Sequence, residues 1–443
     1  MKTSVILPKL LCQILGASLV TANAAGSSNI SLPTPTQSSS VIINIMREAD
    51  TNRIIYSGGL QSATNVSGPW TDVAGAVSPH MLNLDRPQRF YRTREFRAED
   101  QPIFANRSVV NWTLAAPFQS NFDRAFAGLP DGIFPPRRET PYFAAFLTMG
   151  KLEIPVEMRV RGNSSLQECP FPKLKMKIAK STRQGTSFED AREIKIGTHC
   201  AEGGHGNIGR LRDERATYRE ALAYEIMEFL GFTSPRVRRV RIEYRDTSPT
   251  NELGSTQWQV TRNAVILDDV EVVGQRLGGV SLTDEEVAAL KGAHFDEQLV
   301  SDLKLFHAFL GNWDFELPVD GQGLRNTEVV RLADGKLLPV AGDFDLASWV
   351  TEEVRLRAPR DYQPELAALE RNMRFDVEQL SAQVKPELFS AGKLRFMSRR
   401  AGIESLIHSA EIDDAGRTNA IKHVTTFFSI LETTQQSVLR DPD

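Results

Sequence analysis

The chain has 443 residues, 41% of them hydrophobic, which is enough to bury two or three cores. Its formal charge of −4 argues against a nucleic-acid binder. After the first 25 residues no stretch approaches membrane-spanning length, so no membrane span is expected in the mature chain.

Residues Met1 to Ala25 read as an export signal: Lys2 and Lys9, the apolar run Leu10 to Val20, then Ala22-Asn23-Ala24 as a small-residue cleavage site. Residues 26–40, rich in Ser, Thr and Pro, read as a flexible linker. Residues 41–96 carry short β-like runs broken by Ser57-Gly58-Gly59 and Ser67-Gly68-Pro69, and are expected to form a small accessory β domain without chemistry. Cys12 would leave with the signal. The remaining pair, Cys169 and Cys200, suggests one disulfide in an exported chain. A zinc set of Cys169, His199, Cys200 and His205 is the alternative, although the spacing fits no zinc pattern.

Residues 95–126 are polar and carry no clear pattern. Tyr142 to Met149, Ile154 to Val160 and Leu174 to Ile178 alternate as strands of one antiparallel sheet. The turn Arg161-Gly162-Asn163-Ser164-Ser165 reads either as a plain hairpin turn or as a phosphate approach, where Gly admits the backbone and the side chains donate. Lys173, Lys175 and Lys177 share one strand face, opposite Leu174, Met176 and Ile178. That face is either solvated or aims one lysine into a cleft.

Asp213 to Leu230 reads as a helix ended by Gly231, and Glu220 extends its apolar stripe of Ala223, Met227 and Leu230. A carboxylate in that position needs a cation, which a neighbouring strand lysine could supply. Arg236 to Arg245 is arginine-rich, yet Val240, Ile242 and Tyr244 alternate with Arg239, Arg241 and Glu243 as in a half-exposed strand. Val260 to Leu267 reads as a further strand, and Asp268-Asp269 then leads into a helical run through Gly278. From Val280 onward the chain reads mostly as helix.

Leu299, Val300, Leu303, Phe306, Phe309 and Leu310 recur at helical spacing, with Gly311 as a stop. Asn312-Trp313-Asp314 therefore falls on a loop. Beyond it, Glu328 to Leu332 and Lys336 to Val340 flank the hairpin signal Ala333-Asp334-Gly335. Such a hairpin brings Asn326 at its entrance beside Gly342-Asp343-Phe344-Asp345 at its exit, so Asp314, Asn326, Asp343 and Asp345 could converge. Crowded carboxylates repel unless a cation sits among them, and hard oxygen donors with a carboxamide suit Mg²⁺ or Mn²⁺. The order Asp314, Asn326, Asp343 repeats the acceptor-orienting and metal-holding order of kinases.

Taken together, Arg161 to Ser165, Cys169-Pro170-Phe171-Pro172-Lys173-Leu174-Lys175, Thr198-His199-Cys200 and Tyr218 to Tyr224 resemble the CotH-type atypical kinases. So do Ser234 to Arg238, Gly311-Asn312-Trp313-Asp314, Arg325-Asn326 and Gly342 to Leu346. The resemblance implies an α+β, two-lobed kinase-like fold, with a β-rich lobe over residues 97–267 and an α-rich lobe over 268–443. It implies an exported protein kinase that binds ATP with Mg²⁺ or Mn²⁺ and phosphorylates Ser or Thr hydroxyls of exported or surface proteins. Lys175 or Lys177 would grip the phosphates with Glu220 as its partner, and Asp314 would orient the acceptor. Asn326, Asp343 and Asp345 would face the metal. The chain lacks a G-x-G-x-x-G loop, so Arg161, Asn163 and Ser164 would take that role. Because ATP is scarce outside the cytoplasm, the alternative is an inactive kinase-like surface or matrix module whose acidic cluster holds a structural cation.

Overall fold

The computed structural model describes most of residues 101–434, apart from segments 128–139, 163–165, 167–168, 201–213, 250–256, 317–324 and 353–365; between 43 and 94 it describes the strands and a few turn residues. The expected signal and linker, as well as Asn163, Ser164 and His205, lie outside the described residues. The chain divides into two units, one of residues 1–101 with 105–108, the other of 102–104 with 109–443.

Among its described residues, the regular elements of the first unit are all strands. β1 (Ile43–Glu48), β2 (Thr51–Tyr56) and β5 (His80–Leu82) pair in the order β1-β2-β5, while β3 (Gly59–Ala63), β4 (Thr71–Asp72) and β6 (Phe90–Arg94) pair in the order β4-β3-β6. All four pairings are antiparallel.

The second unit is mixed α/β. Seven strands close a barrel: β7 (Val110–Ala116), β8 (Phe143–Met149), β9 (Leu152–Arg161), β10 (Lys173–Lys177), β11 (Glu193–Gly197), β12 (Val237–Asp246) and β13 (Gln259–Asp268), in the order β10-β11-β13-β12-β7-β8-β9. β8, β9 and β10 are antiparallel neighbours, as their alternation implies. β7 comes from the stretch that carried no clear pattern, and it closes the barrel by pairing parallel to β12 and antiparallel to β8. Its alternation is short, with Val110, Trp112, Leu114 and Ala116 buried between less buried neighbours. A parallel partner more than a hundred residues away leaves no local trace.

β12 is less exposed than an alternating strand should be, because Arg238 and Arg239 are both 1% exposed. The Arg239 guanidinium meets the buried Glu225 carboxylate at 2.6 and 3.1 Å, a fork geometry that compensates the burial of both charges. Glu225 stands on the Glu214–Phe229 helix, which packs on β12 and β13.

After the barrel, the Val270–Arg276 helix starts at Asp269, whose side chain accepts from the Val270 N–H. Thr283 and Glu286 form a capping box on the short Asp284–Ala288 helix. β14 (Gly279–Ser281) then joins the hairpin of β15 (Thr327–Leu332) and β16 (Leu337–Ala341) in a sheet ordered β14-β15-β16. The remaining core is helical, with Leu222, Phe306, Phe309, Phe344, Phe396 and Phe427 buried together. Among the described residues, no helix is long and apolar enough to cross a membrane.

Cys169 and Cys200 form a disulfide across 31 residues, and the Phe171 N–H donates to the Cys200 carbonyl at 2.9 Å beside it. With both sulfurs bonded to each other, the zinc alternative is excluded, since zinc needs thiolates. His199 instead packs its ring 4.7 Å from that of Phe171. Reduction is expected to lower stability by about 2 to 4 kcal/mol, the usual worth of a loop-closing disulfide. Urea denaturation with and without reductant measures this, and coincident curves would show the cross-link to be dispensable.

Candidate functional site

The hairpin of β15 and β16 sets the geometry. Its register pairs Thr327 with Ala341, so the residue before β15 meets the residue after β16, and the Gly342 N–H donates to the Asn326 carbonyl at 2.9 Å. Asn326 and Asp343 both take left-handed backbone, at φ 51° and 55°. Asn and Asp tolerate that region better than other side-chain-bearing residues. The Asn326 Nδ2 donates to the Asp314 carbonyl at 2.6 Å and to its Oδ2 at 3.0 Å. Asp314 thus joins the same cluster, as its position after the Glu297–Leu310 helix led us to expect.

From the barrel side, Lys173 enters. It is the first residue of β10, 5% exposed, with Nζ 2.8 Å from the Asp345 Oδ2 and in direct contact with Asp343. This corrects the expectation for Lys175 and Lys177. The Lys175 Nζ lies 2.6 Å from both Glu193 and Asp269, and Lys177 lies 3.9 Å from Glu157 and over the Tyr142 ring. The three lysines share a face, but each step of two residues moves a side chain by roughly 6.6 Å along the strand, so only one can reach Asp343.

Glu220 is buried on the Glu214–Phe229 helix. Its Oε2 borders Gly197 at the end of β11: a Cβ there would lie 3.5 Å from that oxygen, although the atom it would collide with is the Val265 Cγ1 at 2.6 Å. One turn along the helix, the Tyr224 hydroxyl accepts from the Asp343 N–H at 2.9 Å. Burial, and then the charges of Glu220 and Asp343, push the Tyr224 hydroxyl well above the ordinary tyrosine range. The charge of Arg161 acts on the same hydroxyl in the opposite sense, and Arg161 stands across from Lys173 in the register of β9 and β10. Lys173, Glu220, Tyr224, Asp343 and Asp345 therefore form one neighbourhood, with Asn326 and Asp314 adjoining.

Within it the carboxylates differ. The Asp343 side chain is 35% exposed and the Asp345 side chain 5%, so Asp343 can meet a ligand while Asp345 is turned to Lys173. Phe344 between them packs on the Tyr224 and Phe306 rings at 4.6 and 5.8 Å, which anchors the segment. Arg325 reaches Glu316 at 2.7 Å and Asp314 at 3.6 Å.

A second charged cluster was not legible in the sequence. Lys175, Lys195, Glu193, Asp269 and Glu271 gather where β10, β11 and the end of β13 meet, and Lys195 also reaches Glu328 on β15 at 3.0 Å. Burial, followed by the hydrogen bond and charge of Asp269, pushes Glu271 up to about 7. Glu193 and Lys195 stand on β11, a strand not picked out in the sequence, and Asp269 reads there only as the approach to a helical run. The cluster ties the barrel to the strand that follows Asn326.

The chain is thus a mixed α/β protein in which a barrel lysine, a helix glutamate and a hairpin-borne acidic set come together. No family model matches it, and no curated protein does. A solved structure of the Helicobacter pylori proinflammatory kinase CtkA is similar over 59% of this chain and 88% of that one, at 10% identity and a TM-score of 0.31. So faint a likeness bears no weight, and the functional reading rests on the site.

Proposed function

We propose that the chain is an exported atypical protein kinase, carrying the γ-phosphoryl group of ATP to Ser or Thr hydroxyls of exported or surface proteins with Mg²⁺ or Mn²⁺. The observation that carries this reading is Lys173, a buried barrel lysine held between Asp343 and Asp345 beside the contacting pair Asn326 and Asp314.

The donor set suits a hard divalent cation. Asp343 offers a partly exposed carboxylate, and because Asn326 engages Asp314 through its amide nitrogen, its amide oxygen is the end left for a cation. Those two residues would hold the metal, which when bound neutralises phosphate charge. Asp345, buried against Lys173, orients the lysine. Lys173 takes the phosphate-gripping role first given to Lys175 or Lys177, with Glu220 behind it and Arg161 on the adjoining strand. Asp314 orients the acceptor hydroxyl and accepts its proton as the hydroxyl oxygen bonds to the γ-phosphorus and ADP leaves.

The test is thermal denaturation with a non-hydrolysable ATP analogue, with and without Mg²⁺ or Mn²⁺. At 100 times its dissociation constant the nucleotide should add about 2.7 kcal/mol, and only with metal present. Stabilisation by a divalent cation alone, with no response to nucleotide, would replace the kinase by the inactive module with a structural cation.

A further inference from the structure

The Glu297–Leu310 helix ends in a left-handed Gly311, with the Gly311 N–H donating to the Ala308 carbonyl and the Asn312 N–H to the His307 carbonyl at 2.9 Å. This is the Schellman pairing, and it folds Asn312 back over His307. Gly311 is required there: besides its φ of 59°, a Cβ would come within 3.0 Å of the Ser348 Cβ.

The Asn312 side chain then lies between two partners. The Asp314 N–H can only donate, so the Asn312 oxygen, 3.1 Å away, must face it. The Asn312 Nδ2 consequently faces the His307 Nδ1 at 3.1 Å, which makes Nδ1 an acceptor and places the ring proton on Nε2. Burial lowers the His307 pKa to about 3, in keeping with a neutral ring. The ring is wholly buried and stacks on Phe315 with centroids 3.5 Å apart and planes 5° off parallel. Among the described residues its Nε2 has no hydrogen-bond partner. A ring needed only for packing would be less costly as Phe, because an unsatisfied buried donor is destabilising. The Asn312 contact is what the imidazole supplies and Phe could not.

We propose that His307 is a positioning residue: through Asn312 it fixes the Asp314 backbone, and so holds the carboxylate where an acceptor hydroxyl must arrive. Asn312 and His307 touch no reacting atom. The inference rests on the role proposed for Asp314, but the placement of the loop can be measured without any phosphotransfer.

In the full chain, His307→Phe keeps the stack on Phe315 and removes the acceptor, while His307→Gln returns an acceptor oxygen. Amide hydrogen exchange of the segment 311–315 reads the Asp314 N–H directly, and labelled-ATP turnover reads the consequence. Losing one such hydrogen bond corresponds to about a tenfold change. His307→Phe should speed exchange at Asp314 and lower kcat by about that factor at unchanged KM for ATP, with His307→Gln recovering both. Asn312→Ala should match His307→Phe in exchange, which guards against a His307→Phe protein that fails to fold. Parent-like exchange at Asp314 in His307→Phe would overturn the inference, as would a loss that His307→Gln does not recover. A parent protein without phosphotransfer would overturn the kinase reading instead, and the exchange result would still decide whether His307 holds the loop.

Discussion

Lys173→Met is expected to lower folding stability by about 3 to 5 kcal/mol and to abolish the nucleotide response, whereas Lys177→Met should change neither. Methionine keeps much of the volume of lysine, so the loss reports charge rather than packing. The Lys173 and Asp345 side chains are 6% and 5% exposed, and removing one member of a buried pair strands the other in a medium that solvates it poorly. Asp343, with a side chain 35% exposed, is partly solvated, which draws the expectation towards the lower end. Lys177, with a side chain 38% exposed and 3.9 Å from Glu157, has little to lose. Lys175→Met separates the two clusters: it should destabilise through Glu193 and Asp269 while leaving Asp343 supplied with its cation. Urea denaturation and nucleotide-induced stabilisation measure the two effects. A Lys173→Met protein that still responds to nucleotide, beside a Lys175→Met protein that does not, would return the phosphate role to Lys175.

The second large effect separates Asp314 from Asp343. Asp314→Asn should lower turnover by on the order of 10³-fold, within the range of a positioned general base, while leaving nucleotide-induced stabilisation nearly intact. Asp343→Asn should remove that stabilisation. Asn is the suitable replacement at Asp343, because the residue sits at φ 55° and Asn tolerates left-handed backbone where Ala adds strain. Initial rates with labelled ATP and exported acceptor proteins give the first quantity, and melting temperatures with Mg²⁺ or Mn²⁺ the second. Equal loss of cation binding in both variants, with no turnover in the parent, would make the cluster a structural cation site.

Much of this layout was legible in local pattern. The 3.6-residue recurrence from Leu299 to Leu310 and the stop at Gly311 place Asp314 on a loop, and the helix is found at Glu297–Leu310. The Asp334-Gly335 turn sets a register that must bring Asn326 to Gly342, since antiparallel strands return the chain to its starting level. The two cysteines that remain beyond the expected signal implied the bond found between Cys169 and Cys200.

Tertiary structure alone decided the rest, because those choices depend on partners far along the chain. Period-two alternation makes Lys173, Lys175 and Lys177 equivalent, and only the position of β10 against the hairpin exit selects Lys173 for Asp343. Arg239 reads as half-exposed until a helix brings Glu225 over β12. The alternation of β7 is too short to stand out and its parallel partner lies far along the chain, and the gathering of Lys175, Lys195, Glu193 and Asp269 awaits closure of the barrel. A sequence sets the period of each element and the chemistry it carries. Which of several equivalent charges meets its counter-charge is set by the distance between elements, and that distance is fixed by packing.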